Sequence, residues 1–207
     1  MTQTKLASPE LAGVEIHGVT RGAFIMKGAL AASAVYGTSA VAPFVSQALA
    51  KGGDLDILNF ALTLEYLEAA FYAKATKTLN LSGETKKVAT LIGEHEAMHV
   101  KGLTAAIKGA GGTPVKAPGV KFPFKDQASF LKLAQVFEDT GVSAYNGAAP
   151  MITSPDVLAT AGTIVQVEAR HAAAIRFLNG AAPAPTAFDK PLQKQAVLTA
   201  VKPFITG

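Results

Sequence analysis

The chain has 207 residues, 49% of them hydrophobic, and a formal charge of +4 from 19 basic and 15 acidic side chains. That is enough chain for one domain with a substantial core, and its scattered Lys and Arg residues form no run suited to a nucleic-acid backbone. There is no Cys, which removes disulfides, thiolate-bound zinc, iron–sulfur clusters and a cysteine nucleophile.

Residues 1–50 read as an export signal or an N-terminal arm. A polar leader carrying Lys5, Arg21 and Lys27 precedes an uncharged stretch, Gly28 to Ala50, that closes on Ala48-Leu49-Ala50, a small-x-small cleavage pattern. The segment Thr20 to Lys27 resembles a twin-arginine signal, with Gly22 where the second Arg would stand. Export to the periplasm or beyond is the expectation, and Gly22 leaves the route open. Cleavage would leave no stable membrane association. Uncleaved, the stretch is just long enough to span a bilayer, and a retained soluble arm is the third reading.

Residues 51–180 divide into four long helices, and 181–207 into a Pro/Ala linker and a short helix. The first helix is predicted from Asp54 to Leu79, with Leu58, Leu62, Glu65, Tyr66, Ala69 and Tyr72 along one stripe. The second follows Ser82 as N-cap and stops after Lys108 at a Gly-rich turn. The third spans Asp126 to Ala149. The fourth opens on Ser154 with Pro155 at its first position and ends at Asn179-Gly180. A weaker fifth covers Lys190 to Val201. No period-2 pattern of strand length appears.

Two short loops make the first and second helices, and the third and fourth, antiparallel neighbours. The connection between the pairs, residues 110–125, reaches about 50 Å when extended. Helices of this length measure about 36–39 Å, so it can travel the whole bundle. The expected fold is all-α: a four-helix bundle of two antiparallel hairpins joined by a long crossover, with a short C-terminal helix.

Glu65 falls within an apolar stripe, where a carboxylate needs a metal, a partner charge or several hydrogen bonds. Glu96-x-x-His99 and Glu168-x-x-His171 each place two ligand types on one helical face. Glu138 on the third helix matches Glu65 on the first. Glu65 and Glu96 are equidistant from the first turn, and Glu138 and Glu168 from the second, so each pair lies level. Tyr72 and Tyr145 each follow their Glu by seven residues. The motif Glu-x6-Tyr, turn, Glu-x-x-His therefore occurs twice, as a pseudo-twofold axis through a metal pair requires.

Residues 54–180 resemble the ferritin-like superfamily through Leu58–Tyr72, Glu94–Val100, Phe137–Pro150 and Val167–Leu178, and most of all its exported or desiccation-associated branch. The resemblance implies two iron or two manganese ions held by Glu65, Glu96, His99, Glu138, Glu168 and His171. Oxygen and imidazole donors without thiolate suit those metals. Such a pair exchanges two electrons, which fits peroxidase, ferroxidase or catalase-like chemistry on hydrogen peroxide or dioxygen. The alternative is a non-catalytic stress or desiccation-associated protein with a structural or sequestering metal site. Nucleic acid is not expected as a partner, and a homo-oligomer is left open. Bulk iron storage is disfavoured, because four of only 15 acidic residues would already be ligands.

Glu68 follows Glu65 by three residues and borders the same face, as a ligand in place of Glu65, as an additional ligand, or as a partner for Lys74 or another cation; the level spacing and Tyr72 favour Glu65. His95 is expected behind the ligands or on the surface. Tyr72 and Tyr145 are either packed aromatics or hydrogen-bond partners of the ligand carboxylates. Leu62, Phe71, Val136, Phe137, Val165 and Val167 are the expected apolar shell.

Overall fold

The computed structural model describes residues 15–16, 19–20 and 52–206. Within the first unit these are two paired dipeptides, β1 (Glu15–Ile16) and β2 (Val19–Thr20), antiparallel with Glu15 opposite Thr20. The rest of the export-signal reading lies outside the described residues.

The second unit is all-α. Helices α1 (Gly52–Thr78) and α2 (Gly83–Gly109) form one hairpin, α3 (Gln127–Ala148) and α4 (Pro155–Leu178) the other, and α5 (Lys194–Val201) follows. Helix α1 also packs on α3, and α2 on α4. The caps account for the boundaries. Asp126 accepts from the Ser129 amide at 2.8 Å while Ser129 Oγ accepts from the Asp126 amide at 3.1 Å, a reciprocal capping box. Ser154 Oγ accepts from the Val157 amide at 3.3 Å, with Pro155 in the first turn. Ser82 stands at the N-cap of α2 without capping it through its side chain. Its amide instead donates to Gln127 Oε1 at 3.0 Å. Helix α5 begins at Lys194 rather than Lys190, since Pro191 restricts the residue before it and lacks an amide donor.

Three contacts fix the path. The Ser82–Gln127 bond sets the start of α3 beside the α1–α2 turn, here called the upper end. Asp54, at the opposite end of α1, accepts from the Thr153 amide at 2.9 Å and the Ser154 amide at 2.8 Å. The α3–α4 turn is therefore at the lower end, and α1 and α3 run antiparallel. The crossover leaves α2 at that lower end, where Asn59 Oδ1 accepts from the Val115 amide at 2.8 Å. It climbs along α1 and delivers Phe122 and Phe124 to the upper core. There the Phe71 ring meets Tyr72, Phe122, Phe124, Phe130 and Phe137 at centroid distances of 4.8–5.4 Å.

After α4 the tail returns to the lower end of α3. The Leu192 amide donates to the Ser143 carbonyl at 2.9 Å. A Cβ on Gly147 would lie 1.9 Å from the Leu192 carbonyl oxygen, so this approach of backbone to helix requires glycine. Helix α5 then packs on α3. Two dipeptide strands, β3 (Gly119–Val120) in the crossover and β4 (Ile205–Thr206), pair antiparallel. Two-residue strands carry no readable alternation, which is why the sequence shows no sign of them.

Candidate metal centre

Each of the four bundle helices contributes a carboxylate to one layer. Glu65, Glu96, Glu138 and Glu168 are all 0% exposed, His171 is buried and His99 nearly so. Two sets of donors converge, Glu65, Glu96, His99 and Glu168 in one, and Glu96, Glu138, Glu168 and His171 in the other, with the chosen atoms of each set within 4.8 Å of one another. All six residues named from sequence thus meet, and Glu96 and Glu168 belong to both sets.

The distances say which oxygen faces which position. His99 Nδ1 lies 3.2 Å from Glu65 Oε2, 3.2 Å from Glu96 Oε2 and 2.9 Å from Glu168 Oε1. His171 Nδ1 lies 2.9 Å from Glu96 Oε1, 3.5 Å from Glu138 Oε2 and 3.7 Å from Glu168 Oε2. Each shared carboxylate therefore turns one oxygen to each histidine. Position 1 is the space between Glu65 and His99, and position 2 the space between Glu138 and His171.

This geometry fits cations better than hydrogen bonds. Octahedral donors about 2.1 Å from a small divalent ion lie about 3 Å apart when at right angles to it. Glu96 Oε1, Glu138 Oε2, both oxygens of Glu168 and His171 Nδ1 are buried without an aligned hydrogen-bond partner, although oxygens and nitrogen lie this close. They point at common centres rather than at each other. Charge gives the same answer. Two imidazolium groups can balance at most two of four buried carboxylates, and the remainder is expensive without a cation. Two divalent ions would balance all four.

The protonation pattern reflects that deficit. Burial raises Glu65 well above its usual range, and the charges of Glu168 and Glu96 add to this. Burial likewise lifts Glu138, to about 8. Burial also opposes ionisation of Glu96, but the His171 and His99 rings set against its two oxygens bring it down to about 2. Burial works against charge on the histidines, yet the surrounding carboxylates push His99 and His171 up to about 12. Protons thus occupy the place of metal charge.

Around the donors, the two tyrosines cross. The Tyr72 hydroxyl on α1 donates to Glu138 Oε1 on α3, and the Tyr145 hydroxyl on α3 donates to Glu65 Oε1 on α1 at 2.5 Å. Both are hydrogen-bond partners of carboxylates in the candidate centre rather than merely packed rings. Burial and the adjacent carboxylate keep both hydroxyls protonated and donating. Each Glu thereby has one oxygen fixed and the other free to face its histidine.

Glu68 is buried at the edge of this layer but belongs to neither donor set. Burial raises its carboxyl well above the usual range, with Glu168 the foremost of its charged neighbours. It does not pair with Lys74, whose ammonium lies over the Phe124 and Phe122 rings at 5.5 and 5.8 Å from their centroids. His95 does stand behind a ligand, with Nδ1 2.9 Å from His171 Nε2. Asp139 pairs with Arg176 at 2.8 Å. In the apolar shell, Leu62, Phe71 and Phe137 are buried and Val165 and Val167 partly so. Val136 is a correction, being 49% exposed, because it precedes buried Phe137 and points about 100° away on the helix. Asp54, which the sequence marks only as the start of the first helix, joins the two hairpins at the lower end through its carboxylate.

The sequence profile of the ferritin-like domain family matches residues 53–181. The chain belongs to this family. Among solved structures, this ferritin-like chain is similar to a conserved hypothetical protein, rv2844, from Mycobacterium tuberculosis. The TM-score is 0.57 at 20% identity, covering 66% of this chain and 97% of that one. At that identity the likeness concerns the fold. No curated protein matches the ferritin-like chain closely.

Proposed function

We propose that the protein is a two-metal redox protein, using iron or manganese to reduce hydrogen peroxide or to activate dioxygen. The observation that carries this reading is the pair of interlocking donor sets sharing Glu96 and Glu168. Thiolate-free oxygen and imidazole donors suit these two metals. When bound, such a pair supplies a two-electron couple. The chain's own residues do the rest. Glu65, Glu96 and His99 would hold one ion and Glu138, Glu168 and His171 the other, with Glu96 and Glu168 facing both. The tyrosine hydroxyls orient Glu138 and Glu65. Leu62, Phe71 and Phe137 keep bulk water out. Glu68 and Gly141 also line a shallow recess with Leu64, Leu67, Phe137, Thr140 and Val201.

One observation favours a second reading. Complete burial of all four carboxylates equally suits a metal that is sequestered or structural, as in a non-catalytic stress or desiccation-associated protein. Metal content by ICP-MS, followed by peroxide and dioxygen consumption, separates the two. Two ions per chain with turnover that is lost in Glu96→Gln supports the redox function. Two ions without turnover supports sequestration, and less than one ion removes both. Export directed by residues 1–50 belongs to the same proposal. Fusing them to a reporter and finding it only in the cytoplasm would remove that part.

A further inference from the structure

The two hairpins repeat Glu-x6-Tyr and Glu-x-x-His, so departures from the repeat mark where the two positions differ. Two departures touch the centre. The residue three after Glu65 is Glu68, whereas three after Glu138 stands Gly141. The residue before Glu96 is His95, whereas before Glu168 stands Val167.

Both extra groups fall on the same side. A Cβ on Gly141 would lie 3.1 Å from Glu68 Oε1 and 3.6 Å from Glu168 Oε2. The Glu68 carboxylate thus uses the space that glycine leaves open, next to the Glu168 oxygen that faces His171. His171 directs Nδ1 at the carboxylates, and an ion bound there would leave the hydrogen on Nε2, which lies 2.9 Å from His95 Nδ1 as its acceptor. That bond fixes the His171 tautomer and ring orientation and raises its strength as a donor. At the matching register, Val167 has no ring nitrogen to offer His99.

We propose that the two metal positions are inequivalent and that position 2, between Glu138 and His171, fills first, set apart by His95 behind His171 and Glu68 beside Glu168. This rests on the two-metal reading. Position 2 has an additional nearby carboxylate to attract a cation and a histidine already held in its binding form. Position 1 has neither. His95 acts as a positioning residue, through His171, and Glu68 offers a further carboxyl oxygen on the Glu168 Oε2 side.

Titration of metal-free protein with Mn(II), read by the EPR signal of the unbound ion, tests this without any turnover assay. The wild type is expected to bind two ions with affinities at least about tenfold apart. Glu138→Gln should remove the tighter phase and Glu65→Gln the weaker one. His95→Val, which installs the other hairpin's residue, should weaken the tighter phase by about 10–100-fold, the usual effect of losing such a partner, and leave the weaker within about threefold. His95→Gln keeps an acceptor for the His171 hydrogen and should restore most of the loss. Glu68→Gln, which keeps the side-chain shape, should weaken the tighter phase alone. Two equal affinities in the wild type, removal of the tighter phase by Glu65→Gln, or an equal shift of both phases by His95→Val and Glu68→Gln would each overturn the inference. Uptake of one ion only counts against the two-metal reading. Its loss with Glu138→Gln rather than Glu65→Gln would still support the assignment to position 2, and the converse would overturn it. A protein that binds no ion overturns both.

Discussion

The middle of the bundle and its upper end are built by opposite means. In the middle, four carboxylates, two imidazoles and two tyrosine hydroxyls fill one layer, with most of their polar atoms buried. At the upper end, Phe71 is enclosed by five aromatic rings from α1, the crossover and α3. Each buried aromatic ring there contributes about 1.5–3 kcal/mol. The middle layer costs free energy until cations neutralise it. The candidate metal layer and the main source of fold stability are therefore different parts of the same core.

The sharpest way to break that division is Phe71→Ala. It should cost about 3–5 kcal/mol, which at about 2–4 °C per kcal/mol for a chain of this size lowers the melting temperature by about 6–20 °C. Metal content measured below the new midpoint should stay at the wild-type value. Loss of metal from the still-folded variant would show that the two regions are one.

The next effect is that of the metal itself. A free-ion concentration a hundredfold above Kd should stabilise the fold by about 2.7 kcal/mol per site, and the gain should grow with pH. The sign follows from the protonation pattern. Glu138, raised to about 8, favours the metal-free fold most at low pH and loses that contribution as pH rises from its unfolded value toward 8. His99 and His171, raised to about 12, contribute fully below their unfolded value near 6.5 and progressively less above it. Metal binding displaces these same protons and so strengthens with pH. Melting curves with and without Mn(II) from pH 5 to pH 8 should separate steadily. A constant gap would mean that protons and metal do not compete.

Smaller again is Tyr145→Phe. It removes the hydroxyl that orients Glu65 and should weaken metal binding about tenfold, or about 1.4 kcal/mol, as read in a competition titration. No change would demote the tyrosine to packing. Ser154→Ala should cost only about 1 kcal/mol by loss of a helix cap and leave metal affinity untouched. It sets the scale of an ordinary local contact, and a thermal melt checks it.

The middle layer was legible in the sequence because helical period alone brings its parts together. Glu-x-x-His puts two donors on one face, and equal spacing from a short turn puts Glu65 level with Glu96. The repeat singled out Tyr72 and Tyr145 but left them open between packing and hydrogen bonding, and that each meets the Glu of the other hairpin depends on how α1 lies against α3. The upper end was less legible. Phe122 and Phe124 sit in a Gly-, Pro- and Lys-rich segment with no period, and only the path of the crossover along α1 makes them core. The resting place of Glu68 depends on Gly141 across the interhelical space, a pairing distant in sequence. Gly147 was equally silent, since the backbone it admits belongs to Leu192.

The pairing of β3 with β4 ties the C-terminal segment to the crossover at Gly119. All four helices that carry the donors precede Ile205. Phe204, which meets the Phe137 ring edge-on, arrives with it. The tail thus clasps the aromatic end while adding no donor to the polar layer, so shortening it would loosen the one and leave the donors of the other in place.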